Sequence, residues 1–167
     1  MKQTPAMEEI QRQMHPGVIT RNGFLGSDRR KLADILEADN AEINRLGLTH
    51  EVIARRMSEL RDAGRKGLGL PVCVEEHFEV QVDSVRGKLP CPFGDAGLCQ
   101  KMNTTVRNLE TGQQITYTDL NIHMIAAHGF YEGLGSAFRT SPADLKEILE
   151  IPESPPPPIP GIPVDLR

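Results

Sequence analysis

Tryptophan is missing from this chain, and its aromatic residues come to two Tyr and five Phe, 4% of 167 residues. The core must therefore be assembled from Leu, Ile, Val and Met, each worth roughly 1.5–3 kcal/mol when buried. A core that thin gains from an added cross-link such as a metal ion. Long apolar runs are lacking as well. No stretch approaches the ~18 residues that a membrane span needs, and Met1–His15 has no apolar segment of the kind a secretory signal carries. No membrane partner is expected, and the cytoplasm is the expected location. Disulfides have little material, because three cysteines cannot all pair within one chain and a reducing compartment keeps thiols open. A clustered pair of cysteines is better read as metal ligands, which leaves Cys73 as the odd one.

Positive charge is also in deficit: the net charge is −4 and the pI about 5.7, against a protein that coats nucleic acid by bulk electrostatics. Locally the balance reverses. Thr49–Lys66 holds Arg55, Arg56, Arg61, Arg65 and Lys66 against three acids, and Arg86–Leu109 holds Arg86, Lys88, Lys101 and Arg107 against Asp95 alone. With 38% apolar and 25% charged residues the chain falls in the range of globular domains.

Periodicity predicts an α+β protein: an N-terminal helical hairpin, a small antiparallel sheet with a metal-bound helix, a C-terminal helix and a proline-rich tail. Met7, Ile10 and Met14 have helical spacing before His15-Pro16-Gly17, but residues 1–25 are expected to form a flexible arm. Ser27 or Asp28 can cap a helix with the stripe Leu32, Ile35, Leu36, Ile43 and Leu46, ending at Gly47. Thr49 caps a second helix with Ile53, Met57 and Leu60 inward, and residues 26–68 make the hairpin. From Pro71 the period becomes two, and Val72–Asp83 reads as one half-buried strand interrupted by Glu76. Arg86–Pro90 is a candidate second strand. Thr104–Leu109 and Gln114–Thr118 flank a turn at Glu110–Gln113. Thr118 or Asp119 caps LNIHMIAAH, which Gly129 terminates, and Ser141-Pro142 starts a last helix, so residues 69–150 form the α+β unit. Residues 151–167 read as an extended polyproline tail, either a spacer or a ligand for an aromatic groove.

The chemistry concentrates in Cys91-x7-Cys99 and, 23 residues on, His123-x4-His128 at a helix end. Two thiolates and two imidazoles suit one tetrahedral zinc ion per chain in a structural role. This set resembles Cys2His2 zinc fingers and treble-clef-like zinc modules over residues 86–129. By that resemblance Cys91 and Cys99 are the loop ligands, and His123 and His128 the helix pair. The cysteines stand farther apart than in such fingers, so base reading by the helix does not follow. Asp119, one turn before His123, could orient that imidazole from a second layer, although capping already accounts for it.

Other segments carry alternatives. LGLTHEVIARRMSELRDAG resembles the turn and recognition helix of helix-turn-helix regulators at residues 46–64, but Glu75, Glu76, Glu79 and Asp83 follow it and would repel phosphate. Cys73 and His77 share a strand face without a base-and-orienter set. Gly133, Gly135, Ser136 and Arg139 could face an anion, yet lack the spacing of a phosphate loop. The leading expectation is a non-catalytic, zinc-stabilised interaction or regulatory protein. Its partner is a protein or a nucleic acid, met through Arg55, Arg56, Arg61, Lys88 and Arg107. A DNA-binding transcriptional regulator and a zinc-dependent hydrolase are the alternatives.

Overall fold

The computed structural model describes residues 2–153. Among these residues the chain is α+β, with five helices and one antiparallel sheet. The expected tail, residues 151–167, lies mostly outside them.

Helix α1, Pro5–Gln13, starts at Thr4, whose hydroxyl accepts from the backbone N–H of Met7, and ends where His15-Pro16-Gly17 stops the helical pattern. Within the segment expected to be a flexible arm, residues 1–25, the described part contributes side chains to the core. Met14 is fully buried and Phe24 and Leu25 nearly so, in a cluster with Leu32, Ile35, Leu120, Met124 and Phe130. Helix α2, Leu32–Arg45, begins three residues later than an Asp28 cap would have it. The Asp28 carboxylate is engaged elsewhere, with Arg30 at 2.7 Å and the backbone N–H of Leu134 at 3.1 Å. The start of α2 is instead capped from α1 and the residues just before it: Leu32 N–H donates to Gln11 Oε1 at 3.0 Å and Ala33 N–H to Gln3 Oε1 at 2.9 Å. Two glutamines thus satisfy donors that a helix start leaves orphaned, and fix α1 to α2.

Helix α3, His50–Arg65, follows the expected Thr49 cap and buries Ile53, Ala54, Met57 and Leu60. The single strand expected over Val72–Asp83 is two. Strand β1, Val72–Val74, pairs with β2, Phe78–Pro90, in the register Val72↔Val80 and Val74↔Phe78. The reversal is a three-residue loop, Glu75–His77, in which Glu75 and Glu76 take φ of 50° and 70°, left-handed backbone usually given to Gly or Asn. Alternation hides the turn, because a three-residue loop places Val74 opposite Phe78 and so keeps the same parity of inward positions on both strands. Strand β3, Leu98–Asn108, and β4, Gln114–Thr118, complete the order β1-β2-β3-β4. Arg86–Pro90 belongs to β2, whose pairing with β3 is irregular between Ser84 and Lys88.

Helix α4, Asp119–His128, has Thr118 as its cap in a reciprocal box with Asn121, and Gly129 closes it at φ 64°. Helix α5, Pro142–Leu149, follows Ser141 as expected. One face of the sheet supplies Phe78, Val80, Val82, Met102, Val106 and Tyr117 to a core shared with α3, α4 and α5. Because Ile53, Met57 and Leu60 of α3 belong to that core, the hairpin is not set apart from the sheet. At Gly64 the approach is close: a Cβ there would stand 2.5 Å from Val80 Cγ1 and 2.9 Å from Val82 Cγ2.

Candidate metal centre

Beyond the core, β2 and β3 run on as a ribbon whose connecting loop, residues 91–97, returns to α4. Cys91 follows Pro90 directly, and its side chain is buried beside Leu120, Met124 and Phe130. A turn closed by Gly94 N–H to Cys91 O, 3.0 Å, carries the chain on to Asp95. Here Cys91, Asp95, His123 and His128 come together, one donor atom from each lying within 4.8 Å of all the others. Three of these four match the expected ligand set. The fourth is a carboxylate: Cys99, on β3 opposite Leu89, is half-buried against the neighbouring apolar cluster and is not one of the four.

Helix α4 sets the imidazole pair. Five residues are about 1.4 helical turns, so the two side chains leave the axis in different directions. Their rings nonetheless converge edge to face, with centroids 5.9 Å apart. Nε2 of His123 lies 2.7 Å and Nε2 of His128 2.5 Å from the same atom, Oδ2 of Asp95. Phe93 stacks flat on His128 at 4.0 Å and meets Phe130 edge-on, which fixes the ring facing the ligand point.

The electrostatics of the group are those of an anionic site. Hydrogen bonds from His128, then His123, hold the Asp95 carboxyl down at about 2. Burial pushes the Cys91 thiol up to about 11, and the nearby Asp95 charge adds to the shift. The Cys99 thiol is also raised, mainly by burial, with Asp119 and Asp95 contributing. A divalent cation reverses this logic: it stabilises the Cys91 thiolate and takes the imidazole lone pairs. One thiolate, two imidazoles and one carboxylate form a donor set that fits zinc, and all four side chains reach a common point.

The remaining expected residues are dispersed. Asp119 stands 3.4 Å from Arg61 and sits at the first position of α4, while Thr118 does the capping. The ring nitrogen of His123 that has a carboxylate partner uses Asp95, not Asp119. Of the basic candidates, Arg56 is held by Glu75 at 2.5 Å and by the carbonyl of Leu149 at 3.0 Å, and Arg61 by Asp62 and Asp119. Arg55, Lys88 and Arg107 are exposed. Cys73 and His77 do not form a pair: the thiol points to the Glu76 carbonyl and His77 Nε2 lies 2.6 Å from Glu150. The loop from Gly129 to Arg139 is no open anion cradle, because Arg139 grips Asp39 with two bonds of 2.8 and 2.9 Å.

Asp95 escaped the sequence reading although a signal was present, since it is the lone acid in the basic stretch Arg86–Leu109 and lies between the two cysteines. No protein-family model matches this chain, and no curated protein or solved structure does either. No helix among the described residues is long and apolar enough to cross a membrane.

Proposed function

We propose that this chain is a non-catalytic binding or regulatory module whose fold is stapled by one structural zinc ion on Cys91, Asp95, His123 and His128. The observation that carries this reading is the convergence of those four donors from a loop and a helix. The ion would close the set with protein ligands alone and tie the end of the β2–β3 ribbon to α4. Ribbon, loop and helix would then move as one platform.

The surface offered to a macromolecular partner is the ribbon itself. Arg86 and Lys88 are exposed on β2, with Lys101 across from them on β3 and Arg107 farther along that strand. Exposed Val85 and Leu98 supply apolar contact on the same ribbon. Basic groups interleaved with apolar ones suit an acidic surface on another macromolecule. This arrangement favours the ribbon over the helix-turn-helix reading, because α3 is packed against the sheet and two of its three arginines named as contacts, Arg56 and Arg61, already hold acids.

The test is metal analysis of protein purified without added zinc, followed by chelation under circular dichroism. The proposal expects about one zinc per chain and loss of ordered structure when the ion is removed. Metal-free protein with unchanged stability would remove it. Two further outcomes would redirect it. Salt-sensitive DNA shifts abolished by Arg55→Ala with Arg56→Ala would favour the DNA-binding regulator. Turnover of esters or phosphodiesters that depends on the ion would favour the hydrolase.

A further inference from the structure

A cavity of about 340 Å³ lies between the loop at residues 20–26 and the loop at residues 132–138, apart from the metal centre. That volume is near the lower end of small-molecule sites. Phe24, Leu89, Leu120 and Phe138 provide apolar walls, and Glu132 and Ser136 provide polar groups. We infer that this cavity binds a small organic ammonium ion with an apolar body, Glu132 serving as its counter-ion.

The case rests on the state of Glu132. Its side chain is 3% exposed, and its carboxylate accepts from two neutral donors, the Asn121 amide and Ser136 Oγ, the latter at 2.7 Å. Arg139 is beside it, but its guanidinium goes to the carboxylate of Asp39 and to the backbone carbonyl of Glu132, 2.7 Å away. Among the described residues the carboxylate thus has no ion pair of its own, and burial pushes its pKa up. A buried charge is costly unless it is paired, and each carboxylate oxygen keeps a free lone pair for a further donor. An ammonium group placed in the cavity supplies both the charge and the donors.

The walls are already in place. Gly133 N–H bonds to Phe24 O at 2.8 Å, Ser27 N–H to Leu134 O at 3.0 Å, and Leu134 N–H to Asp28 Oδ2 at 3.1 Å. A ligand therefore pays little to order the loops. Arg21 also lines the cavity, so an amine that carries its own carboxylate has a second partner there.

Isothermal titration of the full chain with 2-phenylethylamine, 2-phenylethanol and L-phenylalanine tests the inference. The amine should bind at least about tenfold more tightly than the alcohol of the same shape, a difference of about 1.4 kcal/mol. Glu132→Gln should bring the amine down to the level of the alcohol. Ala137→Phe, which adds bulk at a residue that lines the cavity and makes no side-chain hydrogen bond, should abolish binding of both and shows whether the cavity is the site if Glu132→Gln fails to fold. Tighter binding of phenylalanine than of the amine would identify an amino acid as the ligand source, and the reverse order a free amine. Equal affinity for amine and alcohol, no amine binding at millimolar concentration, or unchanged binding in Ala137→Phe would overturn the inference.

Discussion

Gly64→Ala isolates the contact that joins α3 to the sheet. In an unobstructed helix interior this substitution stabilises by about 0.8–1 kcal/mol, because glycine loses more backbone entropy than alanine. Here the new methyl would meet Val80 Cγ1 at 2.5 Å and Val82 Cγ2 at 2.9 Å, both closer than side-chain carbons tolerate. Val80 is fully buried and belongs to the central strand β2, so it cannot swing away into solvent. Overpacking of this kind costs about 1–3 kcal/mol. Subtracting the propensity gain leaves a net destabilisation of about 0–2 kcal/mol, which for a chain of this size lowers Tm by up to about 8 °C. Urea denaturation with matched m-values is the appropriate assay. A Gly64→Ala protein more stable than the parent by 0.5 kcal/mol or more, on the order of half the propensity gain, would refute the close α3–β2 packing.

Other perturbations have similarly defined outcomes. Tyr117→Phe removes the 2.8 Å bond from the phenol to the Met57 carbonyl and leaves that acceptor buried, so a loss of about 1–2 kcal/mol is expected in the same denaturation assay. Asn121→Ala breaks both the capping box of α4 and the bond to Glu132. It should cost about 1–3 kcal/mol and raise amide exchange in the first turn of α4. The pair His77–Glu150 contributes only when the imidazole is charged and the carboxylate ionised. The folded pKa of His77 is raised above 6.5, chiefly by Glu150, so its contribution is complete below 6.5 and is lost as pH rises through the folded value. Glu150 is lowered below 4.5, chiefly by His77, so its contribution is present above 4.5 and is lost as pH falls through its folded value. The pair is therefore strongest between pH 4.5 and 6.5. NMR titration should show the His77 pKa falling in Glu150→Gln, and no change there would contradict the assignment.

Elements that announce themselves by local chemistry were legible in the sequence. Thr49, Thr118 and Ser141 cap helices where expected, Gly129 ends α4, and the hairpin between β3 and β4 has the expected turn. What stayed hidden depends on tertiary partners. The caps of α2 come from Gln3 and Gln11, residues that no local rule connects to it. The burial of Met14 and Phe24 needs α4 and the 130s loop in place. The Glu75–Glu76 turn kept the alternation of its flanking strands, and its residues lack the glycine that normally marks such a backbone. At the metal centre the cysteine and histidine types stood out by chemistry. Asp95 became visible only when the loop folded back, because aspartates are common in loops for reasons unrelated to metals.

The central claim is that one thiolate, one carboxylate and two imidazoles share a single ion, and cobalt(II) substitution tests it most directly. The account predicts uptake of one cobalt per chain with the charge-transfer absorption of a single thiolate, retained in Cys99→Ser and lost in Cys91→Ser. No cobalt uptake, or an absorption of two thiolates that falls by half in Cys99→Ser, would contradict it.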